Sequence, residues 1–248
     1  MDQHQNITIS IVSHGQFNLI ILLLKDLKKY TNLNKIIITI NISEKIYFPR
    51  WTKNLPIKII YNKSKMGFGA NHNKAFKYCK TKYFIVLNPD IRLKKDIFNN
   101  IIELKENEKI NVIGPLIKDT NGQKSVNSRK FPNLLFLINI LFLRKQNEYF
   151  YKENKKLIFT DWIGGMFMLF SQNDYKILNG FDEDFFLYFE DVDICKRANK
   201  LGLIIAQSKE IELTHQAQRK SHHNLIYLYY HLMSYFLFIK KYYLNFTR

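Results

Sequence analysis

The sequence predicts an α/β protein built on a mainly parallel sheet flanked by helices. Over the first 115 residues, short strand-like runs alternate with segments of helical periodicity, which is typical of βαβ units. The run at residues 35–42 is rich in β-branched residues, as buried strands are. A glycine-rich turn precedes one helix, as in sheets that bind nucleotides beyond the carboxyl ends of their strands.

The elements of this first half follow in a regular order. In the first helix, Ile20, Leu23, Leu24 and Leu27 recur at helical spacing. The predicted strands are Ile7–Ser13, 35–42, Ile57–Tyr61 and Tyr83–Leu87, and the predicted helices are 17–30 and 67–80.

After Gly114 and Pro115 the pattern becomes mixed α+β. A turn at Asn121 and Gly122 separates two short strand-like pieces. The other predicted elements are an apolar segment at 131–143, strands at 159–170 and 210–214, a helix at 190–201 that opens with acidic residues, and a helical tail from about Ser221.

Charge and composition narrow the classes of partner. Thirty-eight Lys and Arg against 21 Asp and Glu give a net charge of +17, which favours nucleic acid, nucleotide phosphates or an acidic membrane face. Lys is frequent here together with Ile and Asn, as a strongly AT-biased genome imposes regardless of function. We therefore attribute part of the basic excess to genome composition and not to a binding partner. Cys79 and Cys195 show no disulfide or zinc pattern, and the sequence starts without a signal peptide, so we expect a reducing, cytoplasmic location. No apolar run reaches the roughly 18 residues of a spanning helix.

Two acidic features follow predicted strands or open helices. Asp90, in the run Asn88-Pro89-Asp90 after a buried strand, could hold a divalent cation against a diphosphate, although the run is also good β-turn chemistry. Glu190 and Asp191 follow an aromatic run, which would remove water from them and raise a carboxyl pKa toward that of a general base. The alternative is an ordinary acidic helix N-terminus.

Two further features are weaker alone. Gly67, Gly69, Asn71 and Asn73 form a turn that could approach a nucleotide, or simply connect a strand to a helix. No Gly-Lys-Ser/Thr follows, so it is not a P-loop. His215 follows a strand-like segment and is either a structural hydrogen-bonding group or a metal ligand.

Together, these features resemble glycosyltransferase family 2, and most closely its rhamnosyltransferase-like branch of surface-polysaccharide enzymes. The resemblance extends over about residues 7–240. It rests on the runs ISIVS (9–13), GFGAN (67–71) with Asn73, LNPD (87–90), GFDE (180–183) and FFLYFEDVDICKR (185–197), followed by His215. The last of these runs is the most specific.

The resemblance implies a GT-A fold and inverting transfer of a sugar from a nucleotide-diphosphate donor, aided by Mn2+ or Mg2+. Asp90 would be the metal ligand, with His215 as a second one, and Asn88 stands where other members carry an Asp. Asp191 would be the base, and Glu190 would hold the acceptor or tune Asp191. The other implied roles are neutralisation of the departing diphosphate by Arg129 or Arg219, and an acceptor floor formed by Trp162, Gly164 and Gly165.

This chain departs from the family where the second strand ends. Members commonly carry an Asp-Asn-x-Ser run there, but this chain has Ile40-Asn41-Ile42-Ser43. Asn41 or Ser43 would then bind the nucleotide, or the base would be held by Ser13, His14 and Asn71. The favoured donor is thymidine-diphosphate rhamnose, with uridine-diphosphate galactose or N-acetylglucosamine as alternatives.

The resemblance also implies a domain division and partners. We expect one GT-A domain at residues 1–220, with a donor half at 1–115 and an acceptor half at 116–220, and an amphipathic tail at 221–248. The acceptor would be a glycan or a lipid-linked sugar. The tail would lie on the anionic inner face of the cytoplasmic membrane, or else only cap the domain.

A nucleic-acid-binding module is the alternative from another class, since the charge is basic and aromatics are frequent. The aromatics occur in apolar runs, however, where core packing is the commoner use, and we expect no nucleic-acid partner. The enzyme hypothesis requires Asp90 and Asp191 to face each other across one cleft wide enough for a sugar.

Overall fold

The computed structural model describes residues 6–30, 33–124, 127–132, 155–216 and 225–244. The first half contains four strands close to those predicted, with two helices between them. Their bounds are β1 (Ile7–Ser13), α1 (Phe17–Leu27), β2 (Lys35–Ile40), a 3-10 turn (Arg50–Asn54), β3 (Ile57–Tyr61), α2 (Phe68–Phe76) and β4 (Tyr83–Leu87). Helices α1 and α2 and strand β2 therefore end before the predicted positions 30, 80 and 42.

The second half is mixed, as the sequence predicts. Its elements are β5 (Ile91–Arg92), α3 (Phe98–Asn107), β6 (Val112–Lys118), β7 (Ser128–Arg129), β8 (Leu157–Phe159), β9 (Trp162–Ile163), β10 (Phe167–Ser171), α4 (Gln172–Ile177), α5 (Glu190–Lys200), β11 (Ile205–His215), α6 (Leu225–Ile239) and a π-helical turn (Lys240–Leu244). The predicted turn at Asn121 and Gly122 is present, and Gly122 adopts φ +80°.

Nine of the described strands form one sheet in the order β3-β2-β1-β4-β10-β6-β11-β5, with β8 also paired to β11. Strands β3, β2, β1 and β4 are parallel, and so are β6 and β11. Strand β10 lies between β4 and β6 and is antiparallel to both. One sheet thus includes strands from both halves of the chain. Because β4 and β10 are antiparallel, the last residue of β4 lies beside the first residue of β10, on the side of the sheet formed by the carboxyl ends of β1, β2 and β4.

The prediction of a single strand over 159–170 is wrong. The segment contributes to three strands: β8 pairs with β11 in the main sheet, β9 pairs with β7 in the separate two-stranded sheet, and β10 returns to the main sheet after Gly164, Gly165 and Met166. Gly164 lies against another backbone there, because its N–H donates to Asn127 O at 2.9 Å. Most of the predicted apolar segment at 131–143 lies outside the described residues.

Side chains alternate between two cores on opposite faces of the sheet. In β4, Ile85 and Leu87 join the cluster under α1 and α3, whereas Phe84 and Val86 join the cluster under α4 and α5. A third cluster joins the aromatic run before α5 to the C-terminal helix, and contains Phe185, Phe189 and Phe238. Phe185 and Phe189, both from the aromatic run, are buried and therefore cannot stack on nucleic-acid bases. Among the described residues, no helix has the length and apolarity needed to cross a bilayer.

Candidate active site

The carboxyl end of β4 carries the first candidate pair. Asp90 follows β4, and its Oδ2 accepts a hydrogen bond from His215 Nε2 at 3.0 Å. His215 is the last residue of β11, which pairs with β5 so that His215 lies opposite Ile91. Asp90 Oδ1 is buried and has no hydrogen-bond partner among the described residues. Two side chains 125 positions apart therefore meet, with one carboxylate oxygen left for a further partner.

The second candidate group opens helix α5. The helix follows two consecutive left-handed residues, Tyr188 (φ 69°) and Phe189 (φ 65°), a conformation that large side chains rarely adopt. Asp191 Oδ2 accepts the N–H of Gly165 at 2.9 Å, and Oδ1 accepts the N–H of Val192 at 2.9 Å. Glu190 is 5% exposed, and its Oε2 is buried with no hydrogen-bond partner in the described part of the chain.

The environment of these carboxyls favours their protonated forms. Burial and the charge of Asp191 raise the pKa of Glu190 well above its usual range. Burial also raises the pKa of Asp191, although the hydrogen bonds from Gly165 and Val192 and the charge of Arg129 oppose this. A carboxylate that is short of solvation but accessible is suited to accept a proton.

The segment Gly165-Met166 connects the two groups. Gly165 binds Asp191, and the carbonyl of Met166 accepts the N–H of Asn88 at 3.0 Å. Asn88 precedes Asp90 by two residues. Both acidic groups therefore lie at the edge where β4 ends and β10 begins. Gly165 also permits close packing, since a Cβ there would lie 3.2 Å from the Phe68 ring and 3.6 Å from Asp191 Cβ.

The predicted acceptor residues lie near helix α5. Arg129 is paired in register with Trp162 on the small β7-β9 sheet, and its charge acts on the pKa of Asp191. Trp162 Nε1 donates to Lys130 O at 3.0 Å. A Cβ at Gly164 would lie 2.4 Å from Asn127 Oδ1, so a larger residue there would require the Asn127 side chain to move. Arg219, the alternative to Arg129, lies outside the described residues.

Gly67, which precedes α2, and Gly69, in the first turn of α2, pack against the segment at 181–190. A Cβ at Gly67 would lie 2.7 Å from Phe186 O, and one at Gly69 would lie 2.6 Å from Phe181 Cβ. The N–H of Phe68 donates to Phe186 O at 2.9 Å. These glycines therefore permit the approach of the FFLYFED segment.

Three asparagines fix the loop that follows β3. Asn41 Oδ1 accepts from Asn62 Nδ2 and from the N–H of Met66, each at 2.9 Å, while its Nδ2 donates to Met66 O at 2.9 Å. Asn71, fully buried, accepts from Asn62 at 2.6 Å and donates to Gly67 O at 2.7 Å. The side-chain amides of Asn41 and Asn71 are thus used within the protein. Asn73 likewise binds the backbone of Phe181 through both ends of its amide.

A cavity of about 450 Å³ lies at the carboxyl ends of β2 and β3, where parallel sheets bind ligands. Its lining includes the exposed Ser43 and also Lys65, which belongs to none of the predicted motifs. His14 lies beside it, 3.2 Å from Asn41 Nδ2, and burial and the charge of Lys65 lower the pKa of His14. Ser13 Oγ is buried without a hydrogen-bond partner among the described residues. A second cavity, about 880 Å³, lies beside α4 and α5, away from Asp90.

Comparison with known proteins identifies the family. Residues 8–178, well over half of the chain, match the family model described as Glycosyl transferase family 2. The chain belongs to glycosyltransferase family 2. The rhamnosyltransferase WbbL of Escherichia coli K12 is 30% identical to this glycosyltransferase over 210 residues, which cover 79% of the chain and 77% of WbbL.

Two further relatives extend the comparison. The N-acetylglucosaminyl-diphospho-decaprenol L-rhamnosyltransferase of Mycobacterium tuberculosis H37Rv is 24% identical over 142 residues, which cover 54% of this chain and 46% of that protein. The crystal structure of GalNAc-T7 with UDP, GalNAc and Mn2+ superposes with a TM-score of 0.68 at 12% identity, over 89% of this chain and 45% of that chain. This glycosyltransferase therefore has the GT-A fold and is rhamnosyltransferase-like, and it spans about half the length of these two proteins.

Proposed function

We propose that this glycosyltransferase transfers a sugar, preferentially rhamnose, from a nucleoside-diphosphate donor to a glycan or lipid-linked acceptor with inversion at the anomeric carbon, in bacterial surface-polysaccharide synthesis. The observation that carries the proposal is the contact of Asp191 Oδ2 with Gly165 N, one residue from the contact between Met166 and Asn88. These two neighbouring contacts place Asp191, the proposed base, close to Asn88 and Asp90, which follow β4. The similarity to WbbL favours rhamnose, and the name of the mycobacterial relative favours a sugar linked to a polyprenyl diphosphate.

In this mechanism, Asp191 removes the proton from the acceptor hydroxyl as that oxygen attacks the anomeric carbon. The new C–O bond forms as the bond from sugar to phosphate breaks on the opposite face, and the nucleoside diphosphate leaves. The hydrogen bond from Gly165 fixes the carboxylate in place, which lowers the entropy cost of the attack. Glu190, adjacent and buried, holds the acceptor or tunes Asp191. Arg129 supplies positive charge at the same site.

A divalent cation fits the pair formed by Asp90 and His215. A buried carboxylate oxygen without a partner and an imidazole nitrogen are both ligands that Mn2+ accepts. The described residues contain no group of three potential metal-ligating side chains, so the donor diphosphate would complete the coordination. When bound, the cation would neutralise the charge of the leaving group. Asn88, in place of a second carboxylate, leaves the ion dependent on the nucleotide.

For the donor nucleotide, we propose the cavity at the ends of β2 and β3. Ser43, His14 and Lys65 border it, whereas Asn41 shapes it from within through its bonds to Met66. Lys65 adds a cation for a phosphate or a carbonyl of the base. The alternative donors are uridine-diphosphate galactose and uridine-diphosphate N-acetylglucosamine. The rise in Tm caused by each nucleotide sugar in the presence of Mn2+ distinguishes these donors from thymidine-diphosphate rhamnose.

We also propose that helix α6 rests on the anionic inner face of the cytoplasmic membrane. Its outward face repeats exposed apolar side chains every three or four residues, namely Leu225, Tyr229, Met233 and Phe236, each more than half exposed. The helix contains no Lys, Arg, Asp or Glu, and the exposed Lys240 follows it. An apolar face with a cation at its end is suited to an anionic interface. On this proposal, residues 1–220 are the catalytic domain and 221–248 the membrane-facing tail.

Substitution of Asp191 by Asn tests the catalytic assignment. The variant keeps the shape of the side chain but removes its basicity, so transfer should fall by roughly 10² to 10⁴, while stabilisation by UDP or dTDP with Mn2+ should remain. The matched control is Asp184→Asn, an exposed carboxyl in the loop just before α5, which should leave transfer unchanged. Wild-type transfer by Asp191→Asn would contradict the mechanism.

A further inference from the structure

Three acidic residues open helix α5, and the third, Asp193, has a different environment from Glu190 and Asp191. It is fully buried, and both of its oxygens are occupied. Its Oδ1 accepts hydrogen bonds from Lys241 Nζ and from the Tyr242 hydroxyl, each at 2.6 Å, and its Oδ2 accepts from Arg197 Nε at 2.8 Å. Because Asp193 is fully buried and its oxygens are bound by Lys241, Tyr242 and Arg197, neither oxygen is accessible to a metal or a substrate, whereas Asp191 is partly exposed. The contacts of Asp193 instead tie the first turn of α5 to the C-terminal segment.

The charges of this contact are balanced. Lys241 also binds Asp182 Oδ2 at 2.5 Å, so two carboxylates face the two cations Lys241 and Arg197. Burial, followed by the hydrogen bond to Asp193, raises the pKa of Tyr242, and the hydroxyl stays a donor at physiological pH. Lys241 and Tyr242 lie in the π-helical turn at the end of the helix, and such turns frequently occur at functional positions.

The same C-terminal segment contacts the two left-handed residues that precede Glu190. Ser234 Oγ donates to Leu187 O at 2.9 Å, and the Phe189 ring lies 5.7 Å from that of Phe238. His231 contacts Tyr188 and Phe189, with ring centroids 5.3 Å from each. A rare backbone conformation persists only where its surroundings enforce it. Here the enforcing surroundings come from the C-terminal helix.

We propose that Ser234, Lys241 and Tyr242 form a C-terminal clamp, and that Asp193 is the positioning residue through which it sets the place of Asp191. The proposal rests on the function proposed above, in which Asp191 is the base. Asp193 lies on the same helical turn as Asp191, two residues on, and its own N–H is bonded to Phe189 O at 2.8 Å. A shift at Asp193 therefore moves the start of the helix and the Asp191 carboxylate with it.

The clamp should act on turnover and leave donor binding intact. The network of Asn41, Asn62 and Met66 shapes the proposed donor cavity. Among the described residues, none of its hydrogen bonds involves a residue of the clamp. The base, by contrast, must reach the acceptor hydroxyl to within about a hydrogen-bond length, and a misplacement of about 1 Å can cost as much as 10²-fold.

Lys241→Met and Tyr242→Phe test the clamp, with Lys80→Met as the control, because Lys80 is exposed between α2 and β4 and belongs neither to the clamp nor to the membrane-facing helix. We expect kcat to fall roughly ten- to hundredfold in Lys241→Met and less in Tyr242→Phe. The KM for the donor and the thermal stabilisation by UDP or dTDP with Mn2+ should stay at the wild-type values. Lys241→Arg should restore part of kcat, since it keeps a cation at Asp193.

A double variant identifies the residue through which the clamp acts. If the clamp works by placing Asp191, Asp191→Asn combined with Lys241→Met should be no slower than Asp191→Asn alone. A further tenfold loss in the double variant, or wild-type kcat in both Lys241→Met and Tyr242→Phe, would overturn the clamp. Wild-type transfer by Asp191→Asn would instead overturn the proposed function, so the two failures are distinguishable.

Discussion

The buried Glu190 leads to a prediction about stability as a function of pH. Its carboxyl is 5% exposed, its Oε2 is without a hydrogen-bond partner in the described part of the chain, and burial and then the Asp191 charge raise its pKa. Glu190→Gln keeps the size of the side chain and cannot ionise. We expect the variant to be more stable than the wild type near neutral pH, even as it loses transfer activity.

The sign and size of this effect follow from proton linkage. Because the folded pKa lies above the unfolded value of about 4.3, the folded state retains a proton that the unfolded state releases, and the wild type loses stability as pH rises. The loss is about 1.4 kcal/mol for each pH unit between the unfolded and the folded pKa, and it is constant above the latter. For a chain of this length, that slope corresponds to about 3–6 °C in Tm per pH unit.

The measurement is the difference in Tm between Glu190→Gln and the wild type from pH 4 to pH 8 at constant ionic strength. The difference should be smallest near pH 4, grow with pH, and level off at the folded pKa of Glu190. The control is Glu212→Gln, whose exposed carboxyl pairs with Lys118 at 2.7 Å and whose removal should change Tm little, since exposed ion pairs contribute little to stability. A flat or falling difference for Glu190→Gln would refute the reasoning.

Two further predictions concern the metal and the membrane. Asp90→Ala should abolish the Mn2+-dependent part of the thermal stabilisation by UDP or dTDP, because it removes the carboxylate paired with His215; full retention of that part would count against the metal site. Phe236→Ser should weaken sedimentation with vesicles rich in anionic lipid while transfer to a soluble acceptor is unchanged, with Tyr47→Ser, also exposed, as control. If Phe236→Ser sediments with the vesicles as well as Tyr47→Ser and the wild type do, the membrane proposal is contradicted.

Much of the first half of the fold can be predicted from the sequence. The strands β1, β3 and β4 begin and end at the predicted residues, because each is a short run dominated by β-branched or aromatic residues. The second half was harder to predict. The run 159–170 was predicted as one strand, yet after Phe159 the chain leaves the main sheet, and Trp162 and Ile163 pair instead with β7 in the small sheet. Such a pairing depends on a segment far away in sequence and leaves no local pattern.

The candidate site divides in the same way. The acidic residues and His215 could be selected from the sequence only through the resemblance to the family, because each of them alone also fits a structural role. The roles of Gly67 and Asn71 could not be decided from the sequence, since either a nucleotide or a neighbouring backbone would select the same small or amide side chains. The structure gives these positions close contacts within the protein, at Phe186 O for Gly67 and at Gly67 O for Asn71.

The sequence by itself determined the α/β class, the parallel strands of the first half and the chemical groups available for catalysis, because burial and side-chain chemistry are encoded position by position. Only the tertiary structure decided that β10 separates β4 from β6, that Asp90 meets His215, and that Asp193 is held by Lys241. Those pairings join residues 48 to 125 positions apart. They form because the whole chain minimises its exposed apolar area and pairs its buried charges together, which no local segment can do alone.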